Sequence, residues 1–511
     1  MNQKFPIGIQ SFEKLREGDF LYVDKTKDIY RLATQGNYYF LSRPRRFGKS
    51  LLLSTVKALF QGKRPLFSGL WIEDQWNWEQ EHPVVHIGFS SIGYKTMGLK
   101  AALETALDAA AEEAGIQLLA THHDQKFKEL IQRLSERGRV VLLIDEYDKP
   151  IIDYLDDFPQ AREHQQILKS FYSIIKDSDE YIRFLLITGV SKFSKVSIFS
   201  ELNNLSDITI DRRFASLTGI TQSELEHYFA PYMEESGHIL QLGQEDLLAN
   251  IKEWYNGYSW DGATFVYNPF SVLNFFQKSD FQNFWFSTGT PTFLIQQMTS
   301  RDFYQVGESE VGQVAFESFD IENIDLYSLL FQTGYLTIKS REPFGLYVLD
   351  YPNREVKDSM LQYLVAGFNH GSYTQTTPIV LHLRKAFLNN ELDQVIRIIN
   401  GLFKSIPSHL FLKDKEAYYH SVVYLVFQYL GQFMEAEVNT SDGRIDAVVE
   451  TDTHIYVIEF KLDESAEVAL AQIKQKGYTE KYHPSDKTIL AWGINFSSES
   501  KCVEEWKVEE S

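Results

Sequence analysis

Apolar and polar positions alternate in two rhythms through residues 1 to about 215. Short apolar runs at 38–41, 84–89, 139–144 and 184–189 suit buried strands, whereas 50–60, 100–114 and 126–137 carry apolar residues at helical spacing. Strands and helices in this alternation predict a parallel sheet covered on both faces. From 216 to 300 the pattern turns helical, and Thr221-Gln222-Ser223-Glu224 before Leu225 offers an N-cap and capping box, so this stretch is expected to form a lid. The aromatic turn at 254–260 contains no interleaved arginine or lysine, which favours core packing over a base-stacking platform. Residues 301–404 form a mixed connector with a hairpin at 335–348 and helices after Val356, and 405–511 contain two further strands between helices. The expected domains are therefore 1–215, 216–300, 301–404 and 405–511.

The first apolar run leads into Arg43-Pro44-Arg45-Arg46-Phe47-Gly48-Lys49-Ser50, and helical spacing follows it. Strand, Gly-Lys-Ser loop and helix are the order of a phosphate-binding loop, whose backbone N–H groups face the phosphates. Lys49 would neutralise β/γ oxygens and Ser50 would ligate Mg²⁺, while Arg45, Arg46, Phe47 and Gly48 complete the loop around ATP or GTP. Arg43 stands where the general pattern asks for its first glycine, which gives this loop less freedom and more charge. The run ending Leu143-Ile144-Asp145-Glu146 supplies two acids: Asp145 for the metal and Glu146 as the base that activates water. After the fourth run, Ser191 and Lys192 are candidate sensors of the γ-phosphate, or simply a solvated loop. Arg213 would reach a γ-phosphate from a neighbouring domain or subunit, or else form a plain surface pair.

These segments resemble an AAA-ATPase-like family of bacterial proteins that often carry a PD-(D/E)XK nuclease-like domain at the carboxyl end. The likeness runs from Phe5-Pro6-Ile7-Gly8 and Tyr22-Val23-Asp24-Lys25-Thr26 through the loop, then Asp145-Glu146-Tyr147-Asp148-Lys149-Pro150 and Thr188-Gly189-Val190-Ser191-Lys192-Phe193. It continues in Asn256-Gly257-Tyr258 and Tyr267-Asn268-Pro269-Phe270-Ser271-Val272. In that family arginine at position 43 is the usual form. The resemblance implies an α/β fold class: a P-loop NTPase core with helical lid, mixed connector and C-terminal restriction-endonuclease-like α/β domain.

In the last domain, Gly443-Arg444-Ile445-Asp446 opens one strand and Glu459-Phe460-Lys461 closes the next. Alternation along a strand puts Glu459 and Lys461 on one face, and pairing with the Asp446 strand would gather two carboxylates and an ammonium. Asp446 and Glu459 would hold Mg²⁺ or Mn²⁺, and Lys461 would orient or deprotonate the attacking water. The D…E-x-K pattern with Gln472 and Tyr478 resembles the PD-(D/E)XK superfamily; alone it fits a solvated hairpin better, and the order helix, Asp strand, E-x-K strand, helix turns the balance to a metal nuclease. Glu416 and His420 share a helical face, where His420 would add a ligand or a phosphate contact, and Gln472 would bond the lysine or a phosphate; surface or core packing explains both as readily.

Composition narrows the classes. A chain of 511 residues needs two to four domains. No apolar run approaches a bilayer span, nothing at the start resembles a secretion signal, and the single cysteine, Cys502, suits a reducing cytoplasm. A net charge of −20 argues against coating nucleic acid by bulk charge, so DNA or RNA contact must be local. The expectation is an ATPase coupled to metal-dependent phosphodiester cleavage, with nucleotide and nucleic acid as partners, no membrane, and a homo-oligomer allowed. The alternative is a nucleotide switch whose nuclease-like domain binds nucleic acid or protein without turnover.

Overall fold

The structure is a computed structural model and describes residues 3–192, 199, 202, 204–286, 292–316, 324–368, 373–404, 416–441 and 444–511. Contacts divide the chain into two compact units, Met1–Thr288 with Gly307–Glu355, and Gly289–Val306 with Val356–Ser511. The chain thus passes between units three times, a different partition from four successive segments.

The first unit is built on five strands: β1 (Tyr38–Ser42), β2 (Val84–Gly88), β3 (Val140–Asp145), β4 (Ile182–Gly189) and β5 (Ser206–Asp207). They pair in the order β2-β3-β4-β1-β5, all parallel, as the apolar runs predict. β1 and β3 are buried at every position because helices cover both faces, which is why they read as unbroken apolar runs. The helix Lys49–Phe60 packs Leu52, Leu53, Val56 and Leu59 into the core beside Val141, Leu143 and Leu186. The predicted helices at 100–114 and 126–137 are Leu99–Glu113 and His123–Ser135.

After this sheet, β6 (Ile220–Thr221) and β7 (Val266–Tyr267) pair antiparallel and frame a helical cluster. Thr221 and Glu224 form the predicted capping box at the start of Gln222–Tyr228, and Glu224 also binds Lys25 Nζ at 2.6 Å. A small sheet of β8 (Ser309–Gly312), β9 (Thr337–Arg341) and β10 (Leu346–Asp350) contains the predicted hairpin as β9 and β10. Glu355, fully buried, ties distant segments of this unit together by accepting from Ser271 Oγ and Trp285 N, both at 2.7 Å.

In the second unit β11 (Glu435–Ser441), β12 (Arg444–Glu450), β13 (His454–Leu462), β14 (Thr488–Ser497) and β15 (Cys502–Glu510) form one sheet in sequence order. Only β13 and β14 are parallel, and their crossover carries the helix Ala466–Gln475 over one face. Gly493 on β14 lets that helix approach: a Cβ there would lie 2.3 Å from the Ala466 carbonyl oxygen. Leu470 and Ile473 of the helix pack on Ile455, Val457, Ile489 and Ala491.

Burial pushes the Glu355 carboxyl up to about 7, against the lowering effect of its N–H and hydroxyl donors. The folded protein therefore holds this proton more tightly than the unfolded chain. Its stabilising contribution is fully present below the ordinary glutamate value and is lost as pH rises through about 7. Glu355→Gln, neutral throughout, is expected to show a shallower fall of urea-unfolding free energy between about pH 5 and 8 than the parent. Equal slopes would remove Glu355 as the source.

Candidate functional site

Strand order decides where the chemistry gathers. β4 lies between β1 and β3, so the two strand ends that carry the loop and the acids stand roughly 10 Å apart, twice the spacing of neighbouring strands. The loop after β1 arches across that gap. Ser50, at the start of the following helix, donates its hydroxyl to Asp145 Oδ2 at 2.5 Å, and Thr188 near the end of β4 donates to Asp145 Oδ1 at 2.6 Å. The hydroxyl and carboxylate form a hard oxygen pair whose chemistry fits Mg²⁺. Lys49 Nζ donates to the carbonyls of Arg43 and Pro44, each at 2.9 Å. Burial lowers the proton affinity of that ammonium, while Asp145, Asp148 and Glu146 raise it.

The loop's unusual backbone geometry sits at Arg46 (φ 67°) and Gly48 (φ 81°), both left-handed, whereas Arg43 has no positive φ. A glycine is thus not required at position 43 by its backbone. Glu146, just past β3, also has φ 55°, a strained conformation for a glutamate at a strand end. Around these residues lies a cavity of ≈ 400 Å³. Arg45, Arg46, Gly48, Lys49, Ser50, Glu146 and Lys149 line it together with Pro6–Gln10, Pro269, Phe270 and Leu273. The Arg46 guanidinium stands 4.8 Å over the Phe270 ring.

Asp148 holds the floor. Nearly inaccessible, its Oδ2 accepts from Val190 N (3.0 Å), Ser191 N (2.6 Å) and Ser191 Oγ (2.7 Å). Burial pushes its carboxyl up, and the Ser191 donors and Lys49 pull it down.

In the second unit, antiparallel register sets Asp446 directly opposite Glu459, and Lys461 follows two residues on. Glu459 is fully buried; its Oε1 lies 3.0 Å from Lys461 Nζ, which also donates to Gln472 Oε1 at 2.7 Å. The buried Glu459 carboxylate is an oxygen donor of the kind hard divalent cations take. The side chains of Asp446, Glu416 and His420 and the residue Gly443 lie outside the described residues. Among the described residues no cluster of three or more His, Cys, Asp or Glu is arranged to hold a metal.

Residues 6–199 match the family model described as "Predicted AAA-ATPase" (AAA-ATPase-like), and residues 414–506 match the PD-(D/E)XK nuclease superfamily. A protein of Azotobacter chroococcum mcd 1, named as an uncharacterized protein in the vnfD 5' region, is similar to the whole chain: 41% identical over 524 residues, spanning 99% of each. The chain belongs to the AAA-ATPase-like family. It also carries a PD-(D/E)XK nuclease superfamily domain. No solved structure matches it.

Within this AAA-ATPase-like protein, Arg45, Arg46, Gly48, Lys49, Ser50, Asp145 and Glu146 come together, and so do Glu459, Lys461 and Gln472. Other sequence candidates sit differently. The Phe47 ring is buried against Tyr258 and Trp260, 4.7 and 5.4 Å away between centroids, and does not line the cavity. Ser191 is buried with its hydroxyl on Asp148, and Lys192 pairs with Asp207 at 2.9 Å, so neither occupies a solvated loop. Arg213 is an exposed partner of Asp211 at 2.6 Å and does not line the cavity. Sequence reasoning assigned no role to Asp148, Thr188, Pro6–Gln10 or Phe270. Asp148 stands three residues after Asp145, a local signal; the other segments show as motifs, but their distance along the chain hides that they meet the loop.

Asp148→Ala would leave three buried donors without their acceptor. An expected loss of about 2–4 kcal/mol in denaturant unfolding follows, larger than a surface change gives. A loss below about 0.5 kcal/mol would show that the Ser191 loop is held by other contacts.

Proposed function

We propose that this protein binds and hydrolyses ATP, and that nucleotide turnover governs metal-dependent cleavage of nucleic acid by its C-terminal domain. The observation that carries the first half is the contact of Ser50 Oγ with Asp145 Oδ2 beside Lys49, at the edge of a cavity of nucleotide size. Loop N–H groups and the Lys49 ammonium would bind the phosphates. The Glu146 carboxylate would take the proton of the attacking water, and Arg46 with Phe270 would hold the nucleotide's flank. A bound Mg²⁺, held by Ser50 and Asp145 here and by Asp446 and Glu459 in the second unit, where Mn²⁺ also suits the oxygens, would polarise phosphoryl oxygens and acidify water. Lys461, fixed by Glu459 and Gln472, would orient that water at the scissile phosphate. Exposed Arg213 would serve a nucleotide on a neighbouring copy in a homo-oligomer. A cytoplasmic setting follows from the same reading.

Lys49→Ala should lower ATP affinity at least a hundredfold by calorimetry, and Glu146→Gln should retain binding while slowing hydrolysis by about 10²–10⁴. Wild-type affinity in Lys49→Ala would remove the nucleotide site. Asp446→Ala, Glu459→Ala and Lys461→Ala should each abolish Mn²⁺-dependent cleavage of DNA or RNA, combine with little further loss, and leave ATP hydrolysis intact. Cleavage that persists in purified Glu459→Ala protein would sink the catalytic assignment. Absence of cleavage in the parent on every substrate would favour a binding domain without turnover.

A further inference from the structure

Arg43 occupies the position of the P-loop's first glycine, yet its side chain is absent from the cavity lining. It runs instead to the back of the loop and is fully buried there. Nη1 donates to the carbonyls of Ser42 (2.9 Å) and Thr209 (2.7 Å), and Nη2 to that of Phe214 (3.3 Å). The guanidinium carbon Cζ lies 3.9 Å from the centre of the Trp260 ring. Burial pulls its proton affinity down to about 9 against the smaller raising effect of Asp207 and Asp261, so a planar, charged fork remains at neutral pH.

The same loop is braced at three further points. Phe47 packs on Tyr258 and Trp260, Trp285 Nε1 donates to the Arg45 carbonyl at 3.2 Å, and Gly334 (φ +90°) lies so close that a Cβ there would stand 2.6 Å from Pro44 Cγ. Trp260 is itself anchored, because neighbouring Asp261 accepts from Ala263 N, Thr264 N and two hydroxyls in a closed turn. The carbonyls of Arg43 and Pro44 are the ones that seat Lys49 Nζ. The position of the phosphate-binding ammonium therefore depends on how position 43 is held.

We propose that Arg43 is a positioning residue: a buried strut that fixes the phosphate loop to Thr209, Phe214 and the Trp260 turn. It replaces the conformational freedom of a glycine with a side-chain lock. The inference rests on the nucleotide reading for its effect on ATP, but its effect on the loop is independent of that reading. It also runs against the general motif, since restoring the glycine should damage the site.

The test compares the full-length parent with Arg43→Gly, Arg43→Lys and Gly334→Ala by ATP calorimetry and by hydrogen exchange of amides 43–50 without nucleotide. Arg43→Gly is expected to weaken ATP at least tenfold and to speed exchange in the loop. Millimolar guanidinium should recover part of both, because it fits the space the side chain vacates. Arg43→Lys should recover neither, lacking the planar fork and the stack. Gly334→Ala, which pushes on Pro44 while keeping Arg43, should weaken ATP without guanidinium rescue. Parent-like affinity and exchange in Arg43→Gly would overturn the proposal. If the parent itself fails to bind ATP, the nucleotide reading falls, and exchange alone decides the strut: faster loop exchange in Arg43→Gly supports it, and unchanged exchange overturns it. If Arg43→Gly does not fold, Trp260→Leu carries the test, with faster loop exchange expected and parent-like exchange overturning it.

Discussion

The Asp145 carboxylate joins three parts of the chain that have no local reason to meet. One oxygen takes the Ser50 hydroxyl from the helix after β1, the other takes Thr188 from β4, and the residue itself ends β3. In a parallel sheet all carboxyl ends lie on one edge, so loops that follow different strands are delivered to the same place. With β4 between the other two strands, the loop after β1 must span its end, and the Thr188 hydroxyl fills the space beneath. The cavity forms at that crossing, lined by the loop and by Glu146.

The loop is held from two sides by different physics. On the cavity side, polar contacts dominate: Lys49 on backbone carbonyls, and Asp148 gathering Val190 and Ser191. Behind the loop, aromatic packing and a buried guanidinium do the holding, through Phe47, Tyr258, Trp260 and Arg43. Burying a charge is costly unless its donors are met, and Arg43 offsets that cost through three carbonyls on Nη1 and Nη2, while its buried Nε has no acceptor among the described residues. Tyr258 and Trp260 thus form a wall for the loop, whereas Trp254 and Tyr255 pack on Phe281 in the helical cluster.

The second unit arranges its chemistry by register. Pairing of β12 with β13 fixes Asp446 against Glu459, and the crossover helix brings Gln472 to Lys461. Gly493 is what permits the helix to lie so near β14, so a backbone approach underlies a side-chain contact.

Much of this was legible in the chain. Continuous apolar runs gave buried parallel strands because both faces are covered; the Thr221 capping box and the β9–β10 hairpin rest on local chemistry; and Gly48-Lys49-Ser50 with Asp145-Glu146 announced the loop and its acids through spacing alone. What the chain could not state is direction: that Phe47 and Arg43 turn to the back of the loop, that Ser191 is spent on Asp148, and that Pro6–Gln10 and Phe270 return to complete the cavity. Nor could local pattern divide a chain whose units each use two separate segments. Local sequence sets propensity and periodicity over a few residues, whereas which side of a loop faces solvent depends on packing partners dozens or hundreds of residues away.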